Sequence, residues 1–553
     1  MQDMTGGQAL AQQLAREGAR QIFGLPGVQL DWAVDALIDV GDRIAFTVPR
    51  HEQATSYMAD GFARSTGEPG LCMVVPGPGL LNAMAGLATA YACSSPVICL
   101  VGQIPLPAIG QGLGLLHEVP QQSRLLESVT KWSALARRPD DIPGLVREAY
   151  RQVRTGRPQP VAIELPPDVL RARETVSLLA PAATPEPAAP AARVIEQAAG
   201  LLAAARFPVI WAGSGVLAAG GSAALAALAR RLGAPVVMSE NGRGALSDRD
   251  PLALSTLGGR AVLPHADVVL VVGSRYVNVR GQVDIAAPKA RFIYLNADPR
   301  DIGGPRPPGL ALVGDARIGL EHLAAALPAG AAQGPGEAAC APVRRWCAAQ
   351  LARLEPQMGW IGALRDAIPD DGILVNEFTQ VGYLAAIAYP VYRPRGLITP
   401  GYQGTLGYGF NTGLGVAAGN PDKVVVSING DGGFGWGLQE LATAAKYRLR
   451  LITVVFRDDA FGNVRRIQSQ TFGRNLGADL HNPDFVALAR AFGVDGLRVA
   501  TPAALTAAIR DAATGDRPIL IEVPVGEMPG PWHLLNTISP APVPAPANPL
   551  GEP

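Results

Sequence analysis

Short, almost uninterrupted apolar runs recur along the chain at residues 71–75, 97–101, 209–212, 268–272, 292–295, 424–428 and 451–456. Each is the length of a strand and is bounded by glycine, proline or acidic residues. A run with no polar alternation predicts a strand buried on both faces, as in a parallel sheet. The segments between the runs carry helical spacing, and strand–helix alternation predicts α/β architecture. Two proline- and alanine-rich stretches interrupt the pattern, LLAPAATPEPAAPAA over 178–192 and LPAGAAQGPGEAACA over 327–341. Lacking aromatics, they read as semi-rigid linkers. The expected organisation is therefore three Rossmann-like or flavodoxin-like parallel-sheet domains, at 1–175, 190–327 and 345–535. A flexible tail is expected over 536–553, where SPAPVPAPANPLGEP (from Ser539) has a composition that does not fold alone. A chain of 553 residues suits three domains at roughly 150 residues each.

Composition changes the picture in two ways. Charged residues make up 17% of the chain, below the roughly 25% of average soluble proteins, which points to extensive buried surface in cores or subunit interfaces. The 47 basic and 47 acidic residues balance, so no field attracts nucleic acid or an anionic membrane. No apolar run is long enough to span a bilayer, and MQDMTGGQAL lacks a signal-peptide layout. The five cysteines have no CxxC spacing and are odd in number, and the three in apolar strand-like or helical context read as reduced core residues. A cytoplasmic protein is expected.

The chemistry concentrates between 424 and 462. An apolar strand runs into Asn429-Gly430-Asp431-Gly432-Gly433, a helical segment follows, and a second strand ends in Arg457-Asp458-Asp459-Ala460-Phe461-Gly462. A strand–glycine turn–helix presents backbone amides suited to a diphosphate, and acids at both strand ends suit a divalent cation. In the first block stands Arg50-His51-Glu52-Gln53-Ala54, followed by Ala59-Asp60-Gly61-Phe62-Ala63-Arg64. Taken alone, Glu52 is an ordinary acid at a helix start.

Together these segments resemble the thiamine-diphosphate-dependent enzymes, and the acetolactate-synthase-like branch in particular. Further landmarks follow in the same order: Phe23-Gly24-Leu25-Pro26-Gly27, Gly77-Pro78-Gly79 with Asn82, Gly102-Gln103, Thr130-Lys131-Trp132 and Gly404-Thr405-Leu406-Gly407. The resemblance implies a pyrimidine-binding, a central and a diphosphate-binding domain, with thiamine diphosphate and Mg²⁺ as cofactors. It makes Glu52 the carboxylate on the pyrimidine N1′, the Gly404 carbonyl the acceptor from the 4′-amino group, and Leu406 the prop beneath the two rings. Pro26, Gly77 and Asn82 join the cofactor site. Asp431 and Asp458 would bind the metal, with the Ala460 carbonyl as third ligand. Thr379, Gln380, Gly432 and Gly433 would hold the diphosphate, and Gly430, Phe461 and Gly462 would join the cofactor site. The implied reaction is decarboxylation of a 2-oxo acid and carboligation through an enamine. The implied assembly is a homodimer or homotetramer with active sites at subunit interfaces.

The chain also departs from the pattern. Arg457-Asp458 replaces the family's Asn-Asn, a substitution that keeps an oxygen ligand and adds charge. Leu116-His117-Glu118 replaces a Phe-Gln-Glu triplet, and His117 reads either as a proton donor to substrate or as a polar loop residue. Gln29 reads either as a substrate contact or as an exposed surface residue, and Trp532 as a lid or a packing anchor. The connection from Leu257-Gly258 to Asp267 is shorter than in FAD-binding relatives, so FAD is not expected. Simple decarboxylation, benzaldehyde-lyase-like cleavage of a 2-hydroxy ketone, and a non-catalytic cofactor-binding paralogue remain as alternatives.

Overall fold

The structure, a computed structural model, describes residues 1–184, 186–277, 287–303, 307–331, 334–535 and 546–552. Each apolar run coincides, to within a residue at its ends, with a buried parallel strand, because a strand covered on both faces has no solvent side on which to place polar residues. Three six-stranded sheets result. The first has the order Ala45–Thr47, Gln21–Gly24, Gly70–Val74, Val97–Gly102, Val161–Leu165, Trp132–Leu135. The second runs Ala253–Leu254, Val236–Met238, Pro208–Ala212, Val268–Val272, Arg291–Asn296, Leu310–Val313. The third runs Leu397–Ile398, Ile373–Asn376, Val425–Gly430, Leu451–Arg457, Ile519–Pro524, Asp495–Arg498. All pairings within these three sheets are parallel. The three parallel α/β domains expected from the apolar runs are therefore present.

In each sheet the strand order reverses between neighbours whose following loops diverge, leaving a crevice at their carboxyl ends. In open α/β sheets that crevice is where ligands bind. The first sheet reverses between Gln21–Gly24 and Gly70–Val74, and the third between Ile373–Asn376 and Val425–Gly430. The Phe23–Gly27 turn and Gly77 emerge at the first crevice, and Glu377–Gln380 and Gly430–Gly433 at the second.

The first and third domains are locked together by two helices, Glu52–Thr66 and Tyr408–Gly419. They approach so closely that a Cβ on Gly415 would stand 2.0 Å from the Met58 carbonyl oxygen, and one on Gly61 2.3 Å from that of Thr412. Any side chain at either position forces the helices apart. Their apolar faces share one core, in which Tyr57 and Tyr408 meet edge to face. Half-buried Arg64 closes the junction by donating to the Thr399 carbonyl and the Tyr408 hydroxyl, both at 2.6 Å, and to Asn241 of the central domain at 3.1 Å.

The linkers are more ordered than their composition suggests. The first is tied to the first domain, its Leu179 and Ala182 amides donating to Gln13 and Glu17. The second is helical from Gly336, within Gly336–Leu351, and buries Cys340 in the central core. The alanines that look like linker are strong helix formers, which corrects the reading of this stretch. Residues 536–545 and 553 of the expected tail lie outside the described residues. Between them, Asn548 donates to the Ala261 carbonyl and Leu550 packs on the central core, so this end is held. All five cysteines are free thiols, and four are buried. Among the described residues no helix is long and apolar enough to cross a membrane.

Candidate active site

The crevice of the third sheet holds a cavity lined by Thr379, Gln380, Gly404, Leu406, Gly430–Gly433, Asp458 and Ala460–Gly462. Every diphosphate, metal and prop residue expected from the sequence is in this set. The local reason is the register: Gly430 pairs with Phe456, so the two strands end side by side and deliver Asp431 and Asp458 to one edge.

Asp431 is 2% exposed. Its Oδ1 accepts from the Gly432 amide at 3.0 Å, and its Oδ2 from the Asp459 amide at 2.8 Å and Asn482 Nδ2 at 2.7 Å. Asp458 Oδ2 accepts from Gln380 Nε2 at 2.7 Å, and a Cβ on Gly462 would come within 2.6 Å of the same oxygen. Burial, and then the charge of Asp431, push the Asp458 carboxyl up to about 6. Burial likewise raises Asp431. Two desolvated carboxylates side by side, one of them raised further by the charge of the other, form a place where a cation lowers the energy of both. Among the described residues no three His, Cys, Asp or Glu side chains gather to hold a metal. The cavity edge instead presents the two carboxylates, and Ala460 lines the cavity beside them. The bridge between Ala460 and Asp479 uses the Phe461 amide and the Asp459 carbonyl, and the Ala460 carbonyl takes no part in those bonds. This set suits a hard divalent ion that takes further oxygens from a diphosphate.

The prop turn is built on left-handed glycines. Gly401, Gly404 and Gly407 have φ of 58°, 57° and 80°. A side chain at Gly404 would also strike the Phe378 ring at 2.9 Å. Leu406 is 41% exposed, unusual for a leucine beside a cavity. Over the cavity runs the segment 526–535. Gln380 Oε1 accepts from the Met528 amide at 2.7 Å, and Gln357 Nε2 donates to the Pro529 carbonyl at 2.5 Å. Trp532 is 6% exposed, meets the Tyr383 ring edge-on at 4.8 Å and carries the Arg466 guanidinium over its face at 4.3 Å. It is both anchor and cover.

A second group gathers at the crevice of the first sheet. Glu52 opens the helix Glu52–Thr66 and its Oε2 accepts from Asn82 Nδ2 at 3.0 Å. The turn before it is fixed from the third domain, where buried Glu440 accepts from the Arg50 and His51 amides at 2.9–3.0 Å. Gly77, at φ 59°, has no room for a side chain, because a Cβ would meet the His117 carbonyl oxygen at 2.4 Å. Gln29 is not on the surface: it is 7% exposed, its Oε1 lies 3.2 Å from His117 Nδ1, and its Nε2 donates to the Leu116 carbonyl at 3.4 Å. Pro26 lies in the turn that leads to this pair.

These residues do not line the cavity of Asp431 and Leu406. One chain thus carries two groups, with Glu52, Asn82, Gln29 and His117 in one and the cavity in the other. Leu81, Leu406 and Trp436 are 48%, 41% and 54% exposed, placing bare apolar surface beside both groups. Sequence reasoning missed Glu440, Asn482, Tyr383 and Glu377. Only Glu377 had a local signal, as an acid directly between a buried strand and Thr379-Gln380.

A separate cavity of about 490 Å³ opens between the central domain and the junction, lined by Gly213, Gly215, Gly273, Arg275, Arg157 and Arg395 among others.

Comparison with known proteins matches three family models in order. They are the N-terminal TPP binding domain of thiamine pyrophosphate enzymes over residues 4–125, the central domain over 195–323, and the C-terminal TPP binding domain over 378–523. The chain is 36% identical to a probable 2-ketoarginine decarboxylase of Pseudomonas aeruginosa, covering 89% of this chain and 88% of the relative. It is 32% identical to a probable acetolactate synthase large subunit of Methanocaldococcus jannaschii, over 94% and 92% of the two chains. It is also 32% identical to the acetolactate synthase isozyme 3 large subunit of Escherichia coli, over 95% of each. With all three domain types in place along the chain, this protein belongs to the thiamine pyrophosphate enzyme family, on its acetolactate-synthase-like side.

Proposed function

We propose that the chain decarboxylates a 2-oxo acid with thiamine diphosphate and Mg²⁺, and then ligates the product fragment to a second carbonyl, as in acetolactate synthesis. The observation that carries the reading is the Asp431–Asp458 pair, two desolvated carboxylates delivered by neighbouring strands to one cavity beside an exposed leucine prop. Bound there, thiamine diphosphate would supply a nucleophilic carbon and an electron sink for decarboxylation of a 2-oxo acid. Asp431, Asp458 and the Ala460 carbonyl hold the ion, and the amides of the Gly430–Gly433 turn face the diphosphate. Leu406 sets the fold of the ligand, and the Gly404 carbonyl orients its amino group. Glu52 drives the proton relay from the far side of the pyrimidine. It comes from a second copy of the chain, since its own group and the cavity are separate within one chain. A homodimer, or a tetramer of two, therefore forms the site. The central cavity is assigned no flavin in this reading, because Thr256–Val262 passes directly into Leu263–His265 and the strand Val268–Val272 without a long loop.

A second reading, decarboxylation without ligation, is favoured by one observation. His117 is held by Gln29 in a loop where the family pattern has glutamine, setting an imidazole beside the turn that carries Gly77. The 36% identical relative is named a decarboxylase. The test is to supply the purified protein with thiamine diphosphate, Mg²⁺ and a panel of 2-oxo acids, and to identify products by mass. A 2-hydroxy ketone longer than the donor is expected. An aldehyde alone establishes the second reading. No consumption above that of Glu52→Gln overturns both.

A further inference from the structure

Glu377 follows the strand Ile373–Asn376 and is 3% exposed, where three turns of the cofactor cavity meet. Its Oε1 accepts from the Gly407 amide at 3.0 Å, at the end of the prop turn. The amides of Tyr408 and Gly409, which begin the helix Tyr408–Gly419, also face the carboxyl. On the other side the carboxyl lies flush against Gly433 of the diphosphate turn. A Cβ there would stand 2.3 Å from Oε1, 2.6 Å from Cδ and 2.7 Å from Oε2. Its main-chain carbonyl accepts from the Thr379 amide at 2.8 Å, so the third turn is fixed by the same residue. Oε2 has no hydrogen-bond partner among the described residues.

A buried acid is an expensive way to fill space, and an apolar side chain of similar size would cost less. Here the carboxyl does what an apolar group cannot: it takes the amide that ends the prop turn and at the same time limits how near Gly433 can come. Burial raises its pKa to about 8, which suits a neutral acid acting as hydrogen-bonding spacer.

We propose that Glu377 is a positioning residue that sets the separation between the prop turn at Gly404–Gly407 and the diphosphate turn at Gly430–Gly433. It does so without touching the cofactor. The proposal rests on the reading of this cavity as the thiamine diphosphate site. Its consequence is that the space at Gly433 and the side chain at 377 are energetically coupled.

The test is titration of the full-length protein with thiamine diphosphate at fixed Mg²⁺, followed by tryptophan fluorescence, for Glu377→Gln, Glu377→Ala, Glu377→Asp and Gly433→Ala. If the wild type fails to bind, the reading of the cavity fails and not this proposal. With wild-type binding established, Glu377→Gln keeps the Oε1 acceptor and binds within about threefold of it, whereas Glu377→Ala loses about tenfold or more. Gly433→Ala alone weakens binding at least about tenfold, and does so several-fold less when combined with Glu377→Asp, whose carboxyl is withdrawn by one methylene. That pair tests the proposal even where the alanine variant at 377 does not fold. The proposal is overturned if Glu377→Gln loses as much as Glu377→Ala. It is equally overturned if Gly433→Ala costs the same factor with and without Glu377→Asp.

Discussion

Glu52→Gln is expected to lower kcat by about 10²- to 10⁴-fold, the range a positioned acid–base group contributes, while thiamine diphosphate still binds within a few-fold. Glutamine keeps an oxygen for the 3.0 Å hydrogen bond from Asn82, and the turn before it stays fixed by Glu440, so the helix start is undisturbed. What is lost is the proton that a carboxyl shares with the pyrimidine nitrogen. Steady-state rates and a cofactor titration on the same preparation separate the two effects. A loss confined to cofactor affinity would make Glu52 a structural cap rather than a catalytic group.

The second large effect is expected at the metal pair. Asp431→Ala removes the acceptor of three hydrogen bonds, from Gly432, Asp459 and Asn482, together with one ion ligand. Thiamine diphosphate affinity in the presence of Mg²⁺ should fall by about 100-fold or more. Asp458→Asn should behave differently. It restores the amide that the family pattern carries at this position, keeps an oxygen for the ion, and removes the carboxyl that burial, and then the charge of Asp431, lift to about 6. Affinity within about tenfold of wild type is expected. Calorimetric titration of both variants checks this, and equal losses in the two would contradict the assignment of Asp431 as the better-held ligand.

The strands were legible because burial on both faces leaves an apolar run that no polar residue interrupts. The diphosphate turn was legible because glycines and acids must sit at fixed places after such runs. Contacts that only the tertiary fold creates were not. Glu440 holds the turn before Glu52 from nearly four hundred residues away, and nothing local marks it. Asn482 reaches Asp431 from a loop whose sequence reads as ordinary surface. The pairing of Gln29 with His117 joins two positions that were each ambiguous alone, and the pairing removes the surface reading of Gln29. The stretch from 336 was misread because alanine serves both linkers and helices, and only packing against the central core distinguishes them.

The account depends most on the claim that Glu52 and the Asp431–Asp458 cavity of one site come from different copies of the chain. Co-expression of Glu52→Gln and Asp431→Ala subunits tests it directly. Each variant alone is expected to be nearly inactive. In a two-fold dimer the mixed species carries one site built entirely from unaltered residues, so random pairing should restore about a quarter of wild-type activity. If each chain instead builds its own site, no pairing reunites Glu52 with Asp431, and the mixture stays as inactive as its parents.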